Sequence, residues 1–279
     1  MRQSILPLNE ELGIPPPYIM GILNVTPDSF SDGGKFFEPG EALTHADNLL
    51  RSGASIIDVG GESTGPGAEP MFAEAELSRI APVVQTLAPK CFLSVDTYHA
   101  TTAEFALRHG ARMINDVSAL RASPEMGRII AAHRAFVVLM YSKEAARTPY
   151  ATNTERDYED VIDTICEFFR ERIDYALEQG ILESQIILDP GMGKFVSHDP
   201  KYSWEILRRF CEFRARGFHF PLMVSTSRKS FLPGKLINRD PATQFTSLFA
   251  VTQGAQLIRT HNVEMAQEFL QLGSVLGMI

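Results

Sequence analysis

Residues 91–118 read CFLSVDTYHATTAEFALRHGARMINDVS. The stretch opens on an apolar run, Cys91–Thr97, whose body is mostly apolar and which closes on Asp96. A segment with helical periodicity follows, Thr101–His109, and stops at Gly110, where a glycine suits the left-handed residue that ends a helix. A second apolar run, Arg112–Ser118, then closes on Asn115 and Asp116. Two runs too apolar to be half-exposed, joined by a helix, predict parallel strands covered on both faces.

The same unit recurs along the chain. Further apolar runs are expected as strands at Tyr18–Val25, Ser55–Gly61, Phe136–Tyr141, Ile186–Gly191, Leu222–Ser227 and Gln256–His261, which makes eight in all. Helical periodicity marks Glu41–Ser52, Ala73–Leu87, Asp157–Gln179, Tyr202–Arg216 and Val263–Leu272. Gly53, Gly180, Gly217 and Gly254 are placed like Gly110, just past a helical run. Eight β–α repeats in 279 residues fit a closed (β/α)8 barrel, the TIM barrel of the α/β class, better than an open doubly wound sheet. Residues 1–17, with Pro15, Pro16 and Pro17 at their end, read as a lead-in whose proline run cannot be helical. Residues 18–279 read as one barrel domain.

Composition narrows the function. The hydrophobic share is 44% and the charged share 22%, ordinary values for a packed domain. A net charge of -8 argues against a nucleic-acid or membrane-surface binder. The N-terminus has neither a signal-peptide core nor a membrane span. The three cysteines, Cys91, Cys166 and Cys211, form no CxxC pair. Reduced thiols, and a cytoplasmic location, are therefore expected.

In parallel barrels chemistry collects at the C-terminal ends of the strands. There this sequence places Asn24, Asp58, Asp96, Asn115-Asp116, Asp189, Lys229, Arg259 and His261. A buried polar group without a partner costs about 1–3 kcal/mol, so such a recurrence at one end of seven strands points to a ligand. Asp96, Asn115 and Asp189 can pair with ring N–H and amino groups of a heteroaromatic. Lys229, Arg259 and His261 supply cations on strands 7 and 8, where barrels often bind phosphate. Asn24 offers a neutral oxygen to a hard ion such as Mg2+. A nitrogen heterocycle carrying a phosphate or diphosphate is the expected substrate.

The motifs themselves, MGILNVTPDSFSDGG (Met20–Gly34), IDVGGEST (Ile57–Thr64), SVDT (Ser94–Thr97), INDV (Ile114–Val117), LDPG (Leu188–Gly191), SRKSF (Ser227–Phe231) and IRTH (Ile258–His261), resemble, in order, those of the dihydropteroate synthase family. The first is long and highly specific. The resemblance implies condensation of 6-hydroxymethyl-7,8-dihydropterin diphosphate with p-aminobenzoate, giving 7,8-dihydropteroate and diphosphate for folate synthesis. It implies that Asp96, Asn115 and Asp189 hold the pterin, with Lys229 at its edge and Met140 on its face. Asn24, through Mg2+, and Arg259 and His261 would hold the diphosphate, and Thr64, Pro66 and Ser230 would border the p-aminobenzoate pocket. Asp96, Lys229, Arg259 and His261 would carry the catalysis, within a homodimer formed through the last helices.

Three departures from the family pattern stand out, two of them on the p-aminobenzoate side, at Gly65 and at Lys194–Phe195. Gly65 stands where the family usually has arginine, and Tyr141 where it has histidine. Residues 189–197, DPGMGKFVS, lack a further glycine, which leaves Lys194 as a substitute for the usual lysine and Phe195 as a candidate wall of the pocket. Together with SRKSFL and IRTH, this segment resembles sulfonamide-insensitive members. The Gly- and Ser-rich loops 26–39 and 62–71 are expected to act as lids. Alternative readings are a methyltetrahydrofolate-dependent methyltransferase, which would not need the cationic motifs, and an inactive pterin-binding paralogue.

Overall fold

The computed structural model describes residues 7–26, 39–62, 71–144 and 156–279. Among them eight parallel strands form one sheet: β1 (Tyr18–Asn24), β2 (Ile56–Gly60), β3 (Leu93–Asp96), β4 (Met113–Asp116), β5 (Phe136–Met140), β6 (Ile186–Asp189), β7 (Met223–Val224) and β8 (Leu257–Thr260). Their order, β6-β5-β4-β3-β2-β1-β8-β7, joins β1 to β8. A bridge between Leu188 and Leu222, with the Leu188 amide donating to the Pro221 carbonyl at 2.9 Å, meets the remaining gap. This is the expected barrel, with β7 cut to two residues.

Side-chain parity sorts every strand. Ile19, Ile57, Leu93, Val95, Ile114, Val137, Leu139 and Leu188 belong to the outer core beneath the helices. Their neighbours Tyr18, Met20, Ile56, Met113, Phe136, Val138, Ile187, Met223 and Leu257 fill the interior toward the strands' N-terminal ends. The interior series continues upward into Asn24, Asp58, Asp96, Asn115, Asp189 and Arg259. A period of two therefore delivers every one of these polar side chains to the same chamber.

The helices are α1 (Leu8–Leu12), α2 (Pro39–Arg51), α3 (Ala73–Leu87), α4 (Ala100–Arg108), α5 (Met126–His133), α6 (Val161–Glu178), α7 (Pro200–Arg208), α8 (Glu212–Ala215), α9 (Asp240–Thr252) and α10 (Val263–Val275). The five expected helix-ending glycines all take φ between 91° and 102°. Four differences from the sequence reading have physical causes. The long helix starts at Val161 rather than Asp157, because the Asp160 carboxylate caps it by accepting from the Ile162 and Asp163 amides. The run 202–216 is two helices with a turn at Arg209–Cys211. The helices α5 and α9, absent from the periodicity reading, are a short one and one opened by Asp240-Pro241, where proline is tolerated because the first amides lack partners anyway. The lead-in is partly helical: α1 places Leu8 and Leu12 against the inner core, and Glu11 pairs with Arg112. No described helix is long and apolar enough to cross a membrane.

Candidate active site

The chamber is organised by one buried cation. The Arg259 guanidinium donates from Nε to Asp58 Oδ2 at 2.7 Å and from Nη2 to Asp96 Oδ2 at 2.6 Å. Asn115 Nδ2 reaches the same Asp58 oxygen at 3.0 Å. Burial works against the arginine's charge, yet Asp58 and Asp96 outweigh it and raise its pKa. Burial pushes the Asp96 carboxyl up to about 7; Arg259 opposes the rise, and Asp58, Glu76 and Asp116 reinforce it. Asp189 is also raised by burial, against the pull of Lys229. Its Oδ1 accepts from the Gly191 amide at 2.8 Å.

Two acceptors are left over. Asp58 Oδ1 and Asn115 Oδ1 are buried and find no partner among the described residues. An orphaned buried acceptor costs about 1–3 kcal/mol, so this floor is built for a donor that binds from outside. Above it Met140 packs with Tyr98, Val117 and Phe195 in a small apolar cluster of its own.

Lys229 leans across the cluster. Its ammonium lies 4.9 Å from the Phe195 ring centroid and donates to the Met192 carbonyl at 3.1 Å. Burial lowers its pKa to about 8, with Asp189 and Asp96 resisting and Arg259 assisting. Asn24 is half-buried at the end of β1. Gly60 keeps the space between strands open, since a Cβ there would lie 3.6 Å from Asp96 Cβ and 3.7 Å from Asn24 Oδ1.

His261 departs from the sequence reading, which grouped it with the cations. Burial, then Arg228 and Arg259, hold its pKa down to about 3. The imidazole is therefore neutral, with Nδ1 2.8 Å from the Ser227 hydroxyl. Ser230 is exposed on the β7–α9 connection. Thr64, Pro66 and Gly65, and most of both expected lids, lie outside the described residues.

Asp58, which the sequence reading placed on β2 without a role, is the hub of this floor, held by both Arg259 and Asn115. The available signal was an acid inside the apolar run IIDVG, on the parity of the interior. Asp116, next to Asn115, turns out to serve the backbone: its two oxygens accept from the Ser118 and Leu120 amides, each at 2.8 Å.

A family model described as pterin binding enzyme matches residues 20–261, nearly the whole barrel. The chain belongs to the pterin-binding enzymes, among the dihydropteroate synthases. It is 39% identical over 267 residues to the dihydropteroate synthase of Synechocystis sp., covering 93% of this chain and 90% of that protein. Among solved structures it is similar to the dihydropteroate synthase of Clostridium difficile obtained in the presence of pteroic acid. That match has a TM-score of 0.85 at 36% identity and covers 94% of this chain and 97% of the other. It is likewise similar to the Xanthomonas albilineans dihydropteroate synthase with 4-aminobenzoic acid, at a TM-score of 0.85 and 33% identity over 95% and 94% of the two chains. As a dihydropteroate synthase this chain is a transferase of folate biosynthesis.

Proposed function

We propose that this dihydropteroate synthase binds its pterin on Asp58, Asp96, Asn115 and Asp189, with Met140 on the ring face and Lys229 at the edge. The observation that carries the reading is the pair of orphaned acceptors, Asp58 Oδ1 and Asn115 Oδ1. A pterin's amino and ring N–H groups are the donors they lack. The diphosphate then extends toward the ends of β1, β7 and β8, where Asn24, Arg259 and His261 meet it. Neutral His261 acts there as a hydrogen-bond donor.

Mg2+ suits this end on chemical grounds. No group of three or more histidine, cysteine, aspartate or glutamate side chains able to hold a metal occurs among the described residues. A lone amide oxygen at Asn24 fits an ion whose shell is completed by phosphate oxygens and water. When bound, the ion would neutralise charge on the departing diphosphate. The protein's own contribution is to fix the pterin in a dry chamber, to offset the cation-like methylene with Asp96, and to stabilise the leaving oxygens with Arg259 and His261. In a dissociative displacement the C–O bond breaks ahead of bond formation; the amine of p-aminobenzoate then bonds to the cation-like methylene carbon and loses a proton to solvent, so no strong general base is needed.

Thr64, Pro66, Phe195 and Ser230 border the p-aminobenzoate pocket in this reading. Diphosphate release on mixing the purified chain with both substrates tests the proposed reaction; no release with both overturns it. The altered segment 189–197 further supports tolerance of sulfonamides. With p-aminobenzoate fixed, turnover should persist as sulfamethoxazole rises, and inhibition as strong as in an ordinary family member overturns that part. The enzyme is proposed to work in the cytoplasm, in keeping with its three free cysteines, and as a homodimer.

A further inference from the structure

The segment after β6 is held far more firmly than a surface connection needs. Its Gly193 amide donates to Ser203 Oγ of α7 at 2.8 Å, and its Phe195 carbonyl accepts from the Lys143 amide at 2.9 Å. The Val196 carbonyl accepts from the Tyr158 hydroxyl at 2.6 Å. That hydroxyl lies 3.1 Å from the hydroxyl of Tyr141. Tyr158 has one hydroxyl proton and gives it to Val196, so Tyr141 must be the donor between the two tyrosines. The result is a directed chain, Tyr141 to Tyr158 to Val196, in which each hydrogen bond polarises the next. Tyr141 is fully buried and packs edge-on against Phe168, so the chain is anchored in the core.

The chain ends at Val196, and the residue before it is Phe195. Phe195 packs in the Tyr98, Val117 and Met140 cluster and lies beneath the Lys229 ammonium. The Lys229 stem lies against Gly193, where a Cβ would come within 3.5 Å of Lys229 Cδ.

We propose that Tyr158 is a positioning residue for the arylamine substrate: with Tyr141 it fixes the Val196 carbonyl and thereby sets the Phe195 ring against which that substrate docks. The inference rests on the reading of Phe195 as a wall of the p-aminobenzoate pocket. Tyr158 touches no substrate in this account, so its loss must act through Phe195.

Steady-state kinetics and a double-mutant cycle test it. Tyr158→Phe should raise the KM for p-aminobenzoate by about tenfold while the KM for the pterin diphosphate stays within about twofold. Tyr141→Phe, which leaves the bond to Val196 in place, should do the same more weakly. Adding Tyr158→Phe to Phe195→Leu should cost little beyond Phe195→Leu alone. Equal rises in both KM values, an unchanged p-aminobenzoate KM, or losses that multiply in the double variant overturn the proposal. Titration with pteroic acid gives a readout independent of turnover and should show weaker binding for Tyr158→Phe; unchanged affinity also overturns it. A wild-type chain that binds pteroic acid but makes no dihydropteroate refutes the proposed reaction and leaves the titration to decide the role of Tyr158. A wild-type chain that fails to bind it overturns both.

Discussion

In the proposed reaction two ionisable side chains set the working range of the chamber. Asp96 must be charged to offset a cation-like methylene, and burial has moved its pKa up to about 7. Lys229 must be charged at the pterin edge, and burial has moved its pKa down to about 8. Asp96 is lost to protonation as pH falls through the first value, and Lys229 is lost to deprotonation as pH rises through the second. The kcat/KM profile should therefore be a narrow bell with limbs near those two values; a flat profile from pH 6 to 9 contradicts the assignment. Asp96→Ala and Lys229→Ala should each lower kcat/KM by at least about 100-fold, or roughly 2.7 kcal/mol. Asp58 answers to a different measurement. Its removal leaves the Arg259 guanidinium, 15% exposed, with Asp96 alone, and breaking a buried pair costs about 3–5 kcal/mol. Asp58→Ala should lower the melting temperature clearly in the absence of any ligand, whereas Asp58→Asn should lower it less. Asp96, Asn115 and Asp189 were legible in the sequence because each interrupts an apolar run. The neutrality of His261 was not, because it follows first from its burial in the closed barrel and then from cations at two different strand ends.

At the level of elements, backbone geometry at the strand ends does much of the positioning. Gly191 has φ of 68°, and a Cβ there would sit 2.3 Å from the Tyr141 carbonyl oxygen. The same strand pair is joined by the Tyr141 amide donating to the Asp189 carbonyl at 2.8 Å. Gly191→Ala must therefore both strain a left-handed residue and push β5 from β6, at a cost of at least about 2 kcal/mol. Because Asp189 is two residues away, pterin affinity should fall more than stability does, which parallel calorimetric and thermal-melt measurements would separate. After β4, Ala119 and Leu120 both have positive φ, 51° and 64°. The Asp116 carboxylate holds this turn through the Ser118 and Leu120 amides, and strain of this kind persists only where the surroundings over-determine it. Periodicity could locate the strand but not the turn, since alanine and leucine carry no sign of left-handed backbone. The same limit explains α9, whose apolar residues are too evenly spread to mark a face.

For the whole molecule, the open question of assembly falls on α10. It exposes Leu272 and Val275 at 58% and 84%, Leu276 just past its end is 71% exposed, and Phe245 of α9 is 65% exposed. In the proposed homodimer a two-fold partner would cover these apolar side chains with its own copy. Val275→Glu with Leu276→Glu should convert a dimer to monomer in sedimentation velocity, while the wild-type chain sediments as a dimer. A monomeric wild type contradicts the dimer. The sequence by itself determined the eight-fold alternation, the single barrel, and which end of seven of the strands bears the polar groups. It could do so because all three are written in local periods of two and of about 3.6 residues, and in motifs contiguous along the chain. Only the tertiary structure decided that Arg259 is gripped by Asp58 from 201 residues away. It likewise decided that Asp58 and Asn115 each keep one buried acceptor without a partner among the described residues, and that Tyr158 holds the carbonyl of Val196. Those outcomes depend on barrel closure, which brings remote side chains within hydrogen-bond distance and removes the water that would otherwise mask their charges.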